Sequence, residues 1–540
     1  MNGPADSSAA ALSHITLPAI AVPRRLVDVA GGHGYYRCVN MFVWLSPVSP
    51  PSIQICRSMK HFLFAAAAII ASTAYAADRP NLVFMIADDC TYLDMEVYGG
   101  QAKTPNLNDL AKSGMQFSRC FQTAPMCSPT RHNIYTGIYP VKSGAWPNHT
   151  CVYPGTKSIA HYLQDAGYRV ALSGKTHISP RQSFPFEYDN EFKSGDVAAD
   201  NPYPTIEKLI TESKDAGTPF CLFACSNEPH TPYTKGDPSA YPPASLKLPP
   251  SWVDTKETRT FYSQYLAEIT YFDAQCGRLL ELLDRHNVAS NTLVMAVSEQ
   301  GSAFPFAKWT CFELGLSSAM IVRWPGQVER GSSTDALVEY TDVAPTFLEA
   351  AGVAVPDTMD GKSFLPVLLG KDVEHKNYTF GIHTTRGIIN GSDTFGVRSC
   401  GTKTHRYIRN LHPEIQFTNA VTRVGGDRAD FWSSWKALAE SGDAHATAMT
   451  AKYSFRPAEE LYDVVNDPHC LKNLIEDPSL ADLKAELSKE LDAWMKNQGD
   501  AGRETEEIAN TRKASFQAKQ NKQKTNNAKK QGKKKKKSAK

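Results

Sequence analysis

The chain repeats one pattern, in which a short apolar segment leads into a polar cluster and helical spacing follows. The apolar segments cover residues 81–87, 168–173, 220–224 and 293–297, and a further one covers residues 319–322. A continuous apolar run is typical of a strand that is buried on both faces. Open α/β sheets place their ligands beyond the carboxyl ends of such strands. The pattern therefore predicts an α/β fold whose polar clusters share one crevice.

The polar clusters contain residue types that bind cations, anions or protons. In chain order they hold Asp88 and Asp89, Lys175 and His177, Glu228 and His230, and Glu299 and Gln300. Adjacent carboxylates repel each other unless a cation neutralises them, so Asp88 and Asp89 favour a hard metal ion over a solvated turn. Taken singly, the lysine could be solvated and each histidine could be a hydrogen-bonded core residue. Their coincidence at strand ends favours one functional site.

Apolar spacing also predicts helices between and after these strands. One predicted helix starts at Thr104 and runs through Met115. The others cover residues 158–166, 265–283 and 480–496.

Residues 127–137 read CSPTRHNIYTG and place a thiol, a proline and an arginine within one turn. Pro129 suits the first helical position, because its fixed φ and missing N–H cost nothing there. Cys127 then lies at the helix N-terminus, where unpaired N–H groups and the helix dipole favour negative charge. Arg131 is expected to point back toward the same spot. The alternative is a buried cysteine beside an ordinary helix cap.

This C-x-P-x-R segment, followed by Thr136 and Gly137, resembles the signature of the sulfatases of the alkaline phosphatase superfamily. The polar clusters match that family in order and in type over roughly residues 78–500. The resemblance implies an alkaline-phosphatase-like α/β/α sandwich with a large mixed sheet. It also implies a smaller C-terminal α+β domain with an antiparallel sheet.

The resemblance further implies that Cys127 is oxidised after translation to formylglycine and that the aldehyde hydrate is the nucleophile. Ser128, Pro129 and Arg131 would also be read by a formylglycine-generating maturation enzyme. By the same resemblance, Arg131, Lys175 and Lys308 surround the hydrate and the sulfate. His177 lies beside the hydrate, and His230 protonates the leaving atom.

The resemblance assigns a divalent cation to Asp88, Asp89, Cys127, Glu299 and Gln300. Calcium is the usual ion, and Mg²⁺ is an alternative. Oxygen donors suit Ca²⁺ better than zinc. Sulfatases typically carry Asp-Asn or Asp-His where this chain has Glu299-Gln300, and both side chains here are longer by about one bond (~1.5 Å). The longer pair could preserve the site, loosen the metal or change which metal binds, and we expect the metal site to be retained.

The segment from Gly174 to His177, with the prolines and phenylalanines after it, is similar to the heparan N-sulfatases (sulfamidases). The same holds for the spacing from Glu299-Gln300 to Lys308. This subgroup leaves open whether the leaving atom is nitrogen of an N-sulfated amino sugar or oxygen of a sulfated glycan. His383, Thr385 and Arg386 are candidate sugar contacts, with an ordinary loop as the alternative.

These observations predict a hydrolase that removes sulfate from esters or sulfamates on a sulfated glycan. One alternative is a phosphate or phosphonate ester hydrolase of the same superfamily. The other is a catalytically silent sulfoglycan-binding protein in which Glu299-Gln300 marks decay of the site. The intact set of Cys127, the three cationic residues and the two histidines argues against the silent protein.

Residues 59–76 have the layout of a secretory signal peptide: a charged start at Met59, a short apolar run and an Ala-Tyr-Ala cleavage site. The apolar run is short for a membrane span. We therefore expect a secreted or periplasmic protein without a stable membrane span. Residues 1–58 are then a mis-called upstream extension or a disordered leader. An internal membrane anchor is the remaining alternative.

The predicted domains cover residues 77–374 (catalytic) and 375–500 (C-terminal), and a disordered lysine-rich tail covers 501–540. The net charge of +2 over 540 residues hides this basic end, which includes five consecutive lysines at 533–537. Such a run is either a solvated end or a tether for polyanions. The export signal disfavours nucleic acid as the polyanion. Twelve cysteines are too few for a disulfide scaffold.

Overall fold

Residues 79–188, 204–424 and 430–509 are described in the structure, which is a computed structural model. The predicted signal peptide, the segment before it and the lysine-rich run lie outside these ranges. Within them, every helix is too short or too polar to cross a bilayer.

Two β-sheets organise the described part of the chain. The strands of the large sheet are β1 (Asn81–Ile86), β2 (Met115–Phe121), β3 (Arg169–Gly174), β4 (Glu187–Tyr188), β5 (Phe220–Cys225), β6 (Thr292–Val297), β7 (Ser317–Arg323), β8 (Ser332–Thr334) and β9 (Val338–Glu339). The strands of the smaller sheet are β10 (Thr379–Thr384), β11 (Gly396–Gly401), β12 (His405–Asn410) and β13 (Glu459–Asp463).

The α-helices connect and cover these strands. They are α1 (Pro105–Lys112), α2 (Cys127–Thr136), α3 (Pro140–Ser143), α4 (Ile159–Asp165), α5 (Pro204–Asp215), α6 (Lys256–Arg285), α7 (Glu313–Leu316), α8 (Val343–Ala350), α9 (Leu365–Leu368), α10 (Phe431–Glu440), α11 (Ala444–Ser454) and α12 (Ala481–Gln498).

The large sheet is mixed and has the order β4-β3-β5-β1-β6-β7-β2-β8, with β9 also paired to β2. The strands from β4 to β6 run parallel to one another, whereas β7 is antiparallel to both β6 and β2. In the register of the central strands, Ile86 of β1 pairs with Cys225 of β5 and with Val297 of β6. The carboxyl ends of these three strands therefore meet at one edge of the sheet.

Helices cover both faces of the large sheet, because alternate residues of β1 enter different cores. Leu82, Phe84 and Ile86 pack with residues of α2, α4 and α8. Val83 and Met85 pack on the other face with residues of α1 and α6. A strand buried on both faces reads as a continuous apolar run, which is why the sequence pattern found these strands.

The smaller sheet is antiparallel with the order β10-β11-β12-β13. On one face, Tyr407 and Leu461 pack against Leu487, Leu491 and Trp494 of α12. Its other face contributes residues of β11 and β12 to the core that lies under α6. The expected architecture of a large mixed sheet and a smaller antiparallel sheet is thus confirmed.

Three local expectations need correction. The predicted helix from Thr104 ends at Lys112, and Met115 instead begins β2, where it pairs with Val322. Helix α2 starts at Cys127, so Pro129 occupies the third helical position. The first intrahelical hydrogen bond is donated by the Thr130 N–H to the Met126 carbonyl (3.1 Å), so the missing N–H of the proline breaks no bond.

The third correction concerns the predicted tail. Residues 503–509 are helical, and the Glu506 side chain is buried beside Arg398 (2.9 Å). Arg398 also forms an ion pair with Asp500. The ordered part of the chain therefore extends beyond the predicted boundary at residue 500. The remaining domain boundaries stay predictions.

Candidate active site

Three chain segments converge where β1 and β6 end. Asp88 and Asp89 follow β1, Glu299 and Gln300 follow β6, and Cys127 begins α2. Backbone hydrogen bonds fix the relative position of the strand ends, from the Ala87 N–H to the Val297 carbonyl and from the Asp88 N–H to the Glu228 carbonyl (both 3.0 Å). The parallel register thus carries residues distant in sequence to one place.

The Cys127 sulfur lies at the centre of this group. Its four polar neighbours are Gln300 Nε2 at 3.0 Å, Lys308 Nζ at 3.4 Å, Asp88 Oδ1 at 3.5 Å and Asp89 Oδ1 at 3.7 Å. Cys127 is 4% exposed, and Asp88, Glu299 and Gln300 have no exposed surface. The centre is therefore a buried polar cluster, which is stable only if its charges are paired.

Each acidic side chain of the centre has a cationic side chain beside it, and Asp88 has two, because Arg131 Nη2 lies 3.9 Å from its Oδ1. Lys175 contacts Asp88, and Lys308 contacts Asp89. Arg131 Nε lies 2.8 Å from Glu299 Oε1. These pairs set three acidic side chains against three cationic ones at a site that is shielded from water, where burial and the nearby Asp88 raise the pKa of Glu299 well above its usual value.

The pairs also set the protonation of the site. Burial raises the pKa of Asp88, but Lys175, a hydrogen bond with Glu299 and the charges of His230 and Arg131 together outweigh it and hold the pKa well below its usual range. Burial lowers the pKa of Lys175, and Asp88 together with Cys127 and Glu299 more than reverses this. Burial and the nearby Asp88 raise the pKa of the Cys127 thiol, so the encoded cysteine is a neutral thiol at pH 7. Asp88 and Lys175 are therefore a charged pair beside an uncharged sulfur.

The acidic residues fit a hard divalent cation. Ligand atoms of Asp88, Asp89, Cys127 and Glu299 all lie within 4.8 Å of one another. The Oε1 atom of Gln300 is buried without a hydrogen-bond partner among the described residues, whereas Glu299 Oε1 is paired with Arg131. Orphaned oxygens of this kind are what oxygen-binding ions such as Ca²⁺ and Mg²⁺ use. The longer side chains at 299 and 300 thus still reach the cluster.

Two histidines lie at the edge of the buried centre. His230 Nε2 is 3.6 Å from Asp89 Oδ2, and its Nδ1 donates to the Thr231 carbonyl (2.8 Å). Burial lowers the pKa of His230. Burial, then the charge of Lys175, lowers the pKa of His177 well below its usual range. Both rings are therefore neutral near pH 7 in this arrangement.

Nine of the ten candidate site residues are joined by the contacts above, and the tenth, His177, follows Lys175 by two positions. His177 Nε2 is instead 2.7 Å from Nδ1 of His149, a residue that the sequence analysis missed. His149 lies in a loop, where no periodic pattern marks it. The backbone φ of 59° at His149 is the only unusual feature, and it is not visible in sequence.

The candidate sugar contacts of the C-terminal sheet fare differently. His383 and Thr385 are buried, and His383 belongs to β10 rather than to a loop. Burial, with Arg456 and Arg398 nearby, lowers the pKa of His383 to about 3. Arg386 is ion-paired with Asp393 (3.2 Å). His383 and Thr385 therefore have no surface for a sugar in this structure.

Comparison with known families and proteins gives a consistent result. The sulfatase family model matches residues 80–353, and the model described as N-sulphoglucosamine sulphohydrolase, C-terminal, matches residues 301–413. An ulvan-active sulfatase of Formosa agariphila is 33% identical over 430 residues, which cover 78% of this chain and 81% of that protein. Human N-sulphoglucosamine sulphohydrolase is 24% identical over 471 residues, covering 77% and 90%.

The fold agrees with this assignment. A protein solved in complex with its substrate D-glucosamine-2-N,6-O-disulfate superposes with a TM-score of 0.58 at 20% identity, covering 79% of this chain and 99% of that one. The expected alkaline-phosphatase-like architecture is confirmed by this likeness. The resemblance first seen around Cys127 is confirmed as well, and the chain belongs to the sulfatase family.

Proposed function

We propose that this sulfatase hydrolyses sulfate esters or sulfamates on a sulfated glycan, with formylglycine at position 127 and a bound divalent cation. The observation that carries the proposal is the position of the Cys127 sulfur, which lies 3.0–3.7 Å from Asp88, Asp89, Gln300 and Lys308. A formylglycine at position 127 would face both the acidic side chains of Asp88 and Asp89 and the cationic side chain of Lys308. That combination suits transfer of an anionic sulfuryl group.

The cation would be held by the side chains of Asp88, Asp89, Glu299 and Gln300 together with residue 127. Bound there, it would supply Lewis acidity and lower the pKa of a nearby hydroxyl. It would also offset the repulsion among the three carboxylates, which now depend on Arg131, Lys175 and Lys308. The positive charges of these three side chains would then be available to bind an anionic substrate.

Lys175, Lys308 and Arg131 bind and orient the sulfuryl oxygens in this proposal. A sulfate ester is anionic, so an oxygen nucleophile is repelled until positive charge surrounds it, and fixed cations at a dry site also stabilise charge that shifts in the transition state. A hydrated aldehyde at position 127 would supply two hydroxyl groups on one carbon. One would bond to sulfur as the ester or sulfamate bond breaks, and loss of the proton of the other would break the carbon–oxygen bond to sulfate and restore the aldehyde.

His230 protonates the leaving atom. Its Nδ1–H is committed to the Thr231 carbonyl, so the ring must first take up a proton at Nε2, which an anionic substrate favours, before Nε2 donates that proton to the leaving atom. An alkoxide or an amide anion leaves poorly, so a proton delivered to the oxygen or nitrogen as its bond to sulfur breaks lowers the barrier. The half-exposed position of His230, with 32% of its side chain accessible, allows the ring to reach a substrate.

The relatives support a glycan substrate. One is an ulvan-active sulfatase, one is an N-sulphoglucosamine sulphohydrolase, and a structural neighbour binds a doubly sulfated glucosamine. We therefore propose a sulfated polysaccharide or an N-sulfated amino sugar as substrate. The signal-like segment at residues 59–76 supports export to the periplasm or the medium, where such polymers occur.

The maturation of Cys127 is tested by mass spectrometry of the tryptic peptides of protein coexpressed with a formylglycine-generating enzyme. We expect the Cys127 peptide to carry an aldehyde that reacts with a hydrazide probe. The peptide with Cys90, another buried cysteine of the same digest, should remain a thiol and serves as the control. A purely thiol Cys127 peptide in active protein would refute the formylglycine mechanism.

The activity is tested in parallel on five substrates: an aryl sulfate, N-sulfoglucosamine, ulvan oligosaccharides, heparan oligosaccharides and a phosphonate monoester. We expect turnover of at least one sulfated sugar and none by a Cys127→Ala variant. Preferred hydrolysis of the phosphonate would overturn the proposal in favour of the related hydrolase. Calorimetric titration of chelator-treated protein tests metal binding. If neither Ca²⁺ nor Mg²⁺ binds, the proposed cation is refuted.

A further inference from the structure

His149 and His177 form a pair at the rim of the site. His177 Nε2 lies 2.7 Å from His149 Nδ1, and the two ring centroids are 4.6 Å apart. The His149 side is exposed, although its neighbours Asn148 and Thr150 are buried. The pair therefore joins an outer histidine to one that follows the strand end of Lys175.

Both histidines have left-handed backbone conformations, with φ of 59° at His149 and 42° at His177. Such values are uncommon for residues other than glycine and persist where the surroundings impose them. At His149 the support comes from the loop after β10, because a Cβ at Gly387 would lie 2.6 Å from the Asn148 carbonyl oxygen. The loop after β10 thus packs closely against the residue that precedes His149.

The contact leaves His177 with one unused ring nitrogen. Nδ1 of His177 is buried and has no hydrogen-bond partner among the described residues. His177 follows Lys175 by two positions, and Lys175 contacts Asp88 of the buried centre. In a neutral imidazole one nitrogen donates and the other accepts, and the partner of the first nitrogen decides the role of the second.

We propose that His149 is a positioning residue of this sulfatase, which binds Nε2 of His177 and thereby fixes the ring orientation and the tautomer that Nδ1 presents to the reacting group. This inference rests on the proposed function, because it assigns His177 to the hydrolytic site. Partners of this kind around a functional histidine typically change activity about 10–100-fold when removed.

The test compares His149→Gly with His149→Asn in full-length, matured, metal-loaded protein. Glycine and asparagine both tolerate positive φ, so neither variant adds backbone strain. Only asparagine keeps a hydrogen-bonding atom near the position of Nδ1. We expect glycine to lower kcat on an aryl sulfate about 10–100-fold with little change in KM, and asparagine to restore most of it.

Asn287→Gly is the matched control, because Asn287 also has positive φ (55°) and lies before the amino end of β6, the end opposite to the site. It should leave both constants unchanged. Wild-type kcat in His149→Gly would overturn the proposal. So would a rise in KM at constant kcat, because it would make His149 a substrate contact instead.

A second readout does not depend on turnover. In ¹⁵N-histidine spectra assigned with a His177→Gln variant, we expect one neutral tautomer for His177 in the wild-type protein and in His149→Asn. His149→Gly should show averaged or mixed tautomer signals. An unchanged His177 signal in His149→Gly overturns the proposal even in folded, active protein. An inactive wild-type enzyme with the expected spectra would instead refute only the proposed function.

Discussion

Arg131 and Glu299 form an ion pair in the interior, with Arg131 Nε 2.8 Å from Glu299 Oε1 and both side chains fully withdrawn from solvent. Arg131 also donates to the Lys175 carbonyl (3.1 Å). The pair joins helix α2 to the end of β6. The additional methylene of Glu299 relative to aspartate is what carries its carboxylate to the arginine while Asp88 and Cys127 remain within reach of the same group.

Glu299→Gln should therefore be strongly destabilising. It removes the nearer of the two acidic side chains at Arg131 and leaves only Asp88, whose Oδ1 lies 3.9 Å from Arg131 Nη2, and breaking a buried pair costs about 3–5 kcal/mol of unfolding free energy. Chemical denaturation of the metal-free protein measures this. Glu187→Gln is the matched control, because Glu187 pairs with Arg169 at the surface and such pairs contribute about 0–1 kcal/mol. Equal losses in the two variants would contradict the interpretation.

The central strands were predictable because burial on both faces leaves a continuous apolar run. The segments predicted at 81–87 and 220–224 became β1 and β5 with shifts of one residue at their ends. Strand β2 escaped prediction, because it alternates buried with exposed or half-buried positions after Met115 and follows a helix without a strong break. Its pairing with β7 is a long-range contact that local spacing does not encode.

The site was predictable to the extent that its residues follow strand ends. Asp88 and Glu299 could be placed together because each follows an apolar run predicted as a strand of one α/β sheet, and because the sulfatase resemblance assigns both to one metal. His149 could not be found this way, since it meets His177 only through a loop that the C-terminal region supports. The sequence also could not show whether the longer Glu299 side chain fits the site. The answer depends on where Arg131 lies, to within about one bond length.

Glu268 predicts a pH dependence of stability away from the site. Burial and the neighbouring Glu228 carboxylate raise its pKa to about 9, from 4.5 in an unfolded chain. The folded protein thus retains a proton that the unfolded chain releases, so this stabilisation is complete below about pH 4.5 and is lost as pH rises toward 9. The slope is about 1.4 kcal/mol per pH unit for one proton.

Glu268→Gln should remove that dependence. Its amide oxygen can still accept from the N–H groups of Thr234 and Lys235, as the carboxyl oxygen of Glu268 does now. We expect the Tm of the variant relative to wild type to rise steadily from pH 5 to pH 9. Glu187→Gln, at the surface, should show no such trend. A constant difference across this range would mean that Glu268 is ionised in the folded protein.

Truncation separates the contribution of the helix at residues 503–509 from that of the lysine-rich segment after it. Removal of residues 510–540 takes away the lysine run and no described contact, so stability should be unchanged and adsorption to heparin at low salt should weaken. Removal of residues 503–540 also removes Glu506 and leaves Arg398 with Asp500 alone. We expect a loss of about 1–3 kcal/mol in unfolding free energy, measured by denaturation. Equal stability of both truncated proteins would show that the 503–509 helix is dispensable.

His230→Gln tests which step needs a proton. A nitrophenolate leaves readily without protonation, whereas a sugar alkoxide or a glucosamine nitrogen does not. If His230 is the general acid, the variant should lose about 10²–10⁴-fold in kcat on a sulfated sugar and far less on nitrophenyl sulfate. Steady-state kinetics of both substrates with one enzyme preparation measure the ratio, which cancels differences in maturation of Cys127.

Lys308→Ala provides the contrast, because Lys308 touches Asp89 and the Cys127 sulfur rather than the leaving side. Its loss should be similar on both substrates, since the sulfuryl group is common to them. Equal losses on both substrates for His230→Gln would place that histidine with the sulfuryl-binding groups and leave the leaving atom to be protonated by another residue or by water.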